Sequence, residues 1–461
     1  MDRERLGEIV GAALGAPVDV EDLTRLPGGA SKETWSFAAR SPDGEVRRFV
    51  LRTDRAGSFG STMALEAVLF GAASRCGVPV PRVVASGDDT DGLGRAFLVI
   101  DFVDGETIPR RILREDEFRD ARAAMAGQCG RILADVHRIP PAEVPGLPGG
   151  DPLEQMRRQL AQLGQPHPAF ELGLLWLGQT RPSYTAERVV HGDFRNGNLI
   201  VGADGIRAVL DWELAHLGDP IEDLGWLCVK AWRFGSSLPV GGFGPIDELV
   251  RAYEEAGGGP VDDAELHWWI VFGTLRWGII CIAQTMTHLT GVVRSVELAA
   301  IGRRVCEVES DLLELLPWTA STLGTEMVAP SGPGDPFLEA VRTGPPHDVP
   351  SGAQLLEAVR EFLESDVREA TEGRVRFHAR VAANVVAMVA RELELGPDQA
   401  VAHQRRLRSL GVSSEEALAS AIRSGGFDDR LGEVTDAVRS IVADKLAVAN
   451  PAYGAAPQPG L

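Results

Sequence analysis

The 461-residue sequence predicts an α+β protein built from a strand-rich N-terminal segment, a mainly helical middle segment and an all-helical C-terminal segment. Alternating apolar residues at 35–39 and an apolar run at 48–52, bounded by Gly- and Pro-containing turns, indicate strands. From 115 onward the apolar residues recur at helical spacing. A Pro- and Gly-rich stretch at 321–352 has the composition of a linker, and amphipathic helices follow it.

The N-terminal elements are predicted in order as a helix, a strand, a Gly-rich turn and further strands. Residues 3–14 have the pattern of a short amphipathic helix. The turn after Leu26 contains Gly28, Gly29, Ala30 and Ser31. Glycines let a backbone approach a phosphate closely, and successive N–H groups can hold it. By itself the turn is more typical of a plain hairpin than of a nucleotide-binding loop.

Residues 187–223 carry the strongest functional pattern. They contain a polar loop, His-Gly-Asp-Phe-Arg-Asn-Gly-Asn, at 191–198. Two short apolar runs follow on either side of Gly-Ala-Asp-Gly, which predicts a β-hairpin. Because a hairpin brings its open ends together, Asn198 and Asp211 are expected to lie side by side, near Asp193 of the same loop.

Two carboxylates and a carboxamide at one point suit phosphoryl transfer. The Mg²⁺ that accompanies a nucleotide prefers oxygen ligands, which Asn198 and Asp211 can supply. Asp193 would then orient an attacking hydroxyl and accept its proton. Arg195 would place a cation against the charge of the transferring group, the alternative being an ordinary surface arginine.

The chain continues with Gly-Asp-Pro-Ile-Glu at 218–222, a helix start with an N-cap Asp, a Pro in the first turn and a Glu at N3. Taken together, H-G-D-F-R-N-G-N, V-L-D-W-E and G-D-P resemble the aminoglycoside phosphotransferase and choline kinase family. The resemblance covers roughly the first two thirds of the chain. It implies a bilobal protein-kinase-like fold with a small β-rich N-lobe and a larger helical C-lobe.

The resemblance also implies roles for the residues of the motif. Asp193 would be the catalytic base, with Asn198 and Asp211 as the metal ligands. His191 would support the loop, and Asp219, at the start of the following helix, would hold the loop in place from its far side.

In the N-lobe the resemblance implies a nucleotide site. The Gly28–Ser31 turn would cover the phosphates, and backbone groups near Asp101 and Val103 would contact the purine edge. The lysine that usually binds the phosphates is replaced by Arg52, whose guanidinium binds phosphate bidentately but with a different reach. Glu66 is the candidate ion-pair partner of Arg52, the alternative being a solvated helix face.

Composition limits the classes of function. A net charge of −20 argues against a nucleic-acid partner, which would favour a basic face. Five scattered cysteines without a C-x-x-C pair indicate reduced thiols rather than disulfides or a zinc site. The first residues lack signal-peptide design, and the apolar run at 268–286 is interrupted by Arg276. We therefore expect a cytoplasmic protein without a membrane partner.

The predicted domain boundaries follow from these changes of pattern. They are 1–105 for the nucleotide-binding N-lobe, 106–320 for the catalytic and acceptor-binding C-lobe, 321–352 for the linker, 353–448 for a helical accessory domain and 449–461 for a flexible tail. The accessory domain contains no catalytic constellation. Docking or homodimerisation is the default expectation for it.

The resemblance implies ATP or GTP as phosphoryl donor, Mg²⁺ as cofactor and a small-molecule hydroxyl as acceptor. Sequences with G-G-A-S and H-G-D-F-R-x-G-N resemble the phosphotransferase domains found beside acyl-CoA dehydrogenases, which favours a hydroxyacyl-CoA acceptor. Two alternatives stay open. One is an antibiotic phosphotransferase acting on an aminoglycoside or macrolide. The other is a catalytically weak pseudokinase or scaffold, motivated by Arg52 and the helical appendage.

Overall fold

The structure is a computed structural model and describes most of the chain. The described residues are 2–26, 32–54, 62–88, 93–183, 187–318 and 352–453. Contacts between Cα atoms group the chain into two compact units. The first consists of residues 1–151 and 181–273, and the second of residues 152–180 and 274–461.

The described elements confirm the predicted α+β class. The helices are α1 (Arg3–Leu14), α2 (Met63–Arg75), α3 (Pro109–Arg114), α4 (Arg119–Val136), α5 (Pro152–Leu163), α6 (Pro168–Gln179), α7 (Ile221–Leu227), α8 (Ile246–Glu255), α9 (Asp263–Leu289), α10 (Val296–Arg303), α11 (Val305–Leu315), α12 (Gly352–Phe362), α13 (Gly373–Ser409), α14 (Glu415–Arg423) and α15 (Leu431–Ala449). The strands are β1 (Asp19–Arg25), β2 (Lys32–Arg40), β3 (Val46–Asp54), β4 (Val83–Gly87), β5 (Phe97–Asp101), β6 (Arg188–Val190), β7 (Leu199–Gly202), β8 (Gly205–Val209) and β9 (His216–Gly218).

A five-stranded antiparallel sheet forms the N-terminal part of the first unit, in the order β1-β2-β3-β5-β4. Side chains alternate between the two faces of a strand. The apolar positions of one face pack against α1 in a cluster of Leu6, Val10, Phe37, Ala39, Phe49, Leu51, Phe97 and Val99. Arg52 follows Leu51 and therefore lies on the opposite face, with Thr34 as its cross-strand partner.

The central polar loop of residues 191–198 lies between two pairs of short strands. β6 precedes the loop and pairs with β9, while β7 follows it and pairs with β8. The predicted hairpin is confirmed, with Leu199 opposite Val209. Gly192 has φ +77°, and a Cβ at this position would overlap the Leu214 carbonyl. The tight course of the loop therefore requires glycine there.

The second unit is helical in its described part. Within it the C-terminal helices pack on α6 and α11. Arg423 of α14 donates from Nε to Oε2 of Glu171 on α6 at 3.1 Å. Lys445 of α15 lies 3.5 Å from Oε2 of the buried Glu309 on α11. Helices on both sides of the predicted 321–352 linker thus belong to one compact unit, and the domain boundaries inferred from the sequence stay predictions.

Helix α13 is longer than its sequence predicts. The apolar pattern indicates a helix from about Val375 to Leu395, with Pro397 just beyond its end. In the structure α13 continues through Pro397 to Ser409. A proline inside a helix removes one hydrogen bond and crowds the preceding turn. The packing of α13 along α12 and α15 offsets this cost.

Two compositional predictions concern cysteines and membranes. The five cysteines are free, and four of them are buried, as expected of reduced thiols. Among the described residues, α9 is the one helix whose length and composition would allow it to cross a membrane. In its most apolar window 72% of the residues are buried.

Candidate active site

The backbone of the central loop is fixed by a buried carboxylate on α7. Asp223 accepts hydrogen bonds from the backbone N–H of His191 at 2.8 Å and of Gly192 at 2.9 Å. Nε2 of His137 lies 3.2 Å from Oδ2 of Asp223, and Nδ1 of His137 lies 2.9 Å from the Tyr253 hydroxyl. Burial acts to raise the pKa of Asp223, but the hydrogen bond and charge of His137 hold that pKa below its ordinary value.

The predicted tie through Asp219 is wrong. Asp219 accepts a hydrogen bond from the Ile221 N–H at 2.9 Å, at the start of α7. Asp223, one helical turn later, is the residue that faces the loop. The sequence pattern located the helix correctly but did not show which of its acidic residues faces the loop.

His191 is a brace within the loop, as predicted. Its Nδ1 accepts from the Asp193 N–H at 3.2 Å, and its Nε2 donates to the Leu210 carbonyl at 3.0 Å. The imidazole is fully buried beside the Trp212 ring, and burial lowers its pKa. A neutral, buried ring with both nitrogens occupied holds the loop to the end of β8 and has no place for substrate.

Asp193 is held at both carboxylate oxygens. Oδ2 accepts from Nδ2 of Asn198 at 2.6 Å. Oδ1 accepts from Nε of Arg195 at 3.0 Å and from the indole N–H of Trp226 at 2.9 Å. The Arg195 guanidinium also lies over the Trp232 ring, 4.6 Å from its centre. The structure therefore brings the predicted base, the predicted cation and one predicted metal ligand into direct contact.

Asn198 and Asp211 are adjacent across the open end of the hairpin. The Leu210 N–H donates to the Asn198 carbonyl at 2.8 Å. Asp211 has φ +66° and ψ +61°, a left-handed conformation that is uncommon for a non-glycine residue. Such strained residues cluster at functional sites. Here the left-handed residue leaves β8 at the point where the hairpin meets the loop.

The donor set at this point fits Mg²⁺. The amide nitrogen of Asn198 is bound to Asp193, so its oxygen is the atom that suits a metal. The side chain of Asp211 is 34% exposed and supplies carboxylate oxygens. No group of three or more His, Cys, Asp or Glu residues in the described part of the chain could hold a metal. A site with two protein ligands suits an ion that keeps waters and binds phosphates.

Arg52 links the sheet to the hairpin. It forms an ion pair with Glu66 of α2, and its Nη2 lies 3.0 Å from Oδ1 of Asp211. The predicted ion pair with Glu66 is therefore present, and the alternative of a solvated helix face is wrong, because Glu66 is 0% exposed. Burial raises the pKa of Glu66, while the positive charges of Arg52 and Lys32 act against that rise.

The other nucleotide-site predictions have different outcomes. Gly28, Gly29, Ala30 and Ser31 lie outside the described residues. The backbone N–H of Asp101 donates to the Arg82 carbonyl at 3.0 Å, and its carboxylate contacts Arg82 and Arg47. Val103 follows the end of β5 and is half-buried. The predicted contact of this segment with a purine stays a prediction, and Val103 is the better candidate for it.

Three residues of the site were not found from the sequence. Asp223 and Trp226 are three residues apart on α7 and so lie on one helix face. Their spacing within Glu-Asp-Leu-Gly-Trp is the signal that could have identified them. Lys32 is 3% exposed and lies on the same sheet face as Arg52, two residues before Thr34. Its position at the start of a strand beside the Gly-rich turn is a weaker signal.

Comparisons with known proteins identify the family and the fold. Residues 22–269 match the phosphotransferase enzyme family, and residues 369–453 match a domain of unknown function, DUF6285. A solved structure from Ralstonia eutropha, provisionally described as an aminoglycoside phosphotransferase, aligns with a TM-score of 0.53 and 21% identity. The alignment covers 68% of this chain and 98% of that chain. This likeness supports the predicted kinase-like fold.

Among curated proteins, acyl-CoA dehydrogenase family member 10 of Mus musculus is 27% identical over 56% of this chain and 26% of its own length. A probable acyl-CoA dehydrogenase of Arabidopsis thaliana is 25% identical over 70% of this chain and 43% of its own length. The chain thus spans less than half the length of these relatives. Because the family match covers more than half of the chain, the chain belongs to the phosphotransferase enzyme family.

Proposed function

We propose that the protein is an ATP- or GTP-dependent, Mg²⁺-requiring O-phosphotransferase that acts on a small hydroxylated molecule. The observation that supports the proposal is the contact of Asn198 with Asp193 in the loop, with Asp211 across the open end of the hairpin and joined by Arg52 to Glu66. When bound, Mg²⁺ would supply positive charge that offsets the negative charge of the donor phosphates. Asn198 and Asp211 would hold it through their side-chain oxygens.

The residues of this chain have separate tasks in the proposed reaction. A carboxylate oxygen of Asp193 accepts the proton of the acceptor hydroxyl while the hydroxyl oxygen forms a bond to the γ-phosphorus. The bond between the γ-phosphorus and the β,γ-bridging oxygen breaks, and the nucleoside diphosphate is the leaving group. Arg195 lies next to Asp193 and offsets negative charge on the transferring group. Arg52, which is 11% exposed at its side chain, binds the donor phosphates from the sheet face.

We propose hydroxyacyl-CoA thioesters as the acceptor class. The curated relatives are named as acyl-CoA dehydrogenase family members, and this chain spans only part of them. A phosphotransferase segment shared with proteins named for acyl-CoA chemistry favours an acyl-CoA acceptor. The alternative is an aminoglycoside or macrolide acceptor, and the name of the similar Ralstonia eutropha structure motivates the aminoglycoside.

A pseudokinase is the remaining alternative, motivated by arginine in the place of the usual lysine. The geometry argues against it, because Arg52 makes the ion pair with Glu66 that an active kinase requires of its lysine. An active phosphotransferase and a pseudokinase are distinguished by whether the purified protein transfers the γ-phosphate at all.

The test is transfer of labelled γ-phosphate to a panel of hydroxyacyl-CoA, aminoglycoside and macrolide acceptors, with ATP or GTP as donor. Asp193→Ala should lose about 10²–10⁴ in kcat while nucleotide affinity is retained. Asp116→Ala is the matched control, because its side chain is 85% exposed on a short surface turn. An Asp193→Ala enzyme with wild-type turnover would remove Asp193 from the mechanism.

A further inference from the structure

Trp226 is a buried indole that contacts the proposed base directly. It is 2% exposed, lies on α7 and donates its Nε1–H to Oδ1 of Asp193 at 2.9 Å. We propose that Trp226 is a positioning residue that fixes the orientation of the Asp193 carboxylate during phosphoryl transfer. This inference rests on the proposed function, in which Asp193 is the base.

The contact matters because the other two donors to the Asp193 carboxylate are Asn198 on Oδ2 and the partly exposed Arg195 on Oδ1. Asn198 holds Oδ2 at 2.6 Å, and a carboxylate held at one oxygen still turns about its Cβ–Cγ bond. Terminal torsions of Asp are broad, so the packing of the aliphatic part alone does not fix them. A second donor on Oδ1 fixes the plane of the group. Trp226 provides that donor from a helix rather than from the loop itself.

Arg195 is less suited to this task than Trp226. Its Nε also contacts Oδ1 of Asp193, but its side chain is 26% exposed and carries the charge needed beside the phosphoryl group. If Arg195 turns toward that group, Oδ1 keeps the indole N–H and gains a free acceptor position for the substrate hydroxyl.

The surroundings of Trp226 hold its ring in place. Its ring centre is 5.2 Å from that of Trp232, which also supports the Arg195 guanidinium. Gly225 allows close packing on the other side, since a Cβ there would lie 2.6 Å from Cβ of Trp269. Asp223, three residues before Trp226, holds the backbone of the loop. One face of α7 therefore fixes both the loop and the base.

The first experiment tests the contact by nuclear magnetic resonance. The chain has nine tryptophans, and Trp226→Phe identifies the indole N–H signal of Trp226 in ¹⁵N-tryptophan-labelled full-length protein. We expect Asp193→Ala to move this signal more than the other indole signals. A Trp226 signal that does not move would overturn the inference, whether or not the protein has the proposed activity.

The second experiment tests the role by kinetics with the hydroxyacyl-CoA panel. Trp226→Phe keeps an aromatic ring and removes the N–H. We expect kcat to fall about tenfold, a fraction of the ~10²–10⁴ that a positioned base contributes, with KM and nucleotide affinity within about twofold of wild type.

Trp268→Phe is the matched control. Trp268 is 2% exposed in the same unit and stacks on Phe272. The Trp268→Phe substitution should lower the melting temperature of the protein without changing kcat by more than about twofold. An unchanged kcat in Trp226→Phe, or a fall matched by Trp268→Phe, would overturn the inference. Wild-type protein that transfers phosphate to no acceptor would instead overturn the proposed function, with the resonance test unaffected.

Discussion

Replacing Arg52 with methionine should destabilise the first compact unit, because it leaves the carboxylate of Glu66 buried without its nearest cation. Glu66 is 0% exposed, and the Arg52 side chain is 11% exposed. Removing one partner of a buried ion pair typically costs about 3–5 kcal/mol. Lys32 stays close enough to act on Glu66 electrostatically. We therefore expect a loss near the lower end of that range, about 3 kcal/mol.

Differential scanning calorimetry of the full chain measures this loss. A loss of 1 kcal/mol lowers the melting temperature of a domain of this size by about 2–4 °C, so the transition of the first unit should fall by about 6–12 °C. The transition of the second unit is an internal control, since Arg52 and Glu66 both belong to the first unit.

The double variant Arg52→Met, Glu66→Leu separates the ion pair from packing. With both charges removed, no carboxylate is left buried alone, and most of the lost stability should return. A single variant that melts within about 2 °C of wild type, or a double variant as unstable as the single one, would refute the reasoning.

Three further predictions concern residues elsewhere. Asp223→Asn should lower the free energy of unfolding by about 3 kcal/mol at neutral pH, because it replaces the charged acceptor of two loop N–H groups with a neutral one. Because the folded pKa of Asp223 lies below its ordinary value of about 4, its stabilisation is present above that value and is lost as pH falls through the lower folded pKa. The free energies of unfolding of wild type and Asp223→Asn, measured with urea, should therefore converge in acid. A difference between them that does not narrow would count against the role of Asp223 as a charged acceptor. Asp211→Asn should weaken nucleotide binding with Mg²⁺ by at least about tenfold and leave metal-free binding nearly unchanged in calorimetry; equal losses would argue against a metal ligand. Lys445→Met should lower the free energy of unfolding of the second unit alone, by about 3 kcal/mol, because it removes a cation from the buried Glu309. Calorimetry should then show a lower melting temperature for that unit only. A lower melting temperature of the first unit instead would contradict this prediction for Lys445→Met.

Local patterns predicted much of the fold. The hairpin of β7 and β8 follows from two apolar runs around a Gly-containing turn, and α1 follows from helical periodicity. The end of α13 could not be predicted in this way. Pro397 predicts a helix boundary by its local chemistry, but tertiary packing against α12 and α15 decided the length of the helix.

The candidate site was predicted where its geometry depends on short sequence separations. Asp193 and Asn198 share one loop, and Asp211 is brought to them by one hairpin. Residues from other elements were harder to identify. Trp226 reaches Asp193 only because α7 packs against the loop, and Lys32 reaches the neighbourhood of Glu66 only through the pairing of β2 with β3.

Arginine at position 52 changes the geometry of the site more than its charge. A guanidinium has a planar fork, so Arg52 contacts Glu66 through one nitrogen and Asp211 through another. An ammonium is a point charge on a flexible stem and would have to approach both carboxylates with one nitrogen. The fork therefore joins the sheet, α2 and the hairpin. In the proposed function we therefore expect Arg52 to take the place of the usual lysine, and arginine at this position does not by itself favour a pseudokinase.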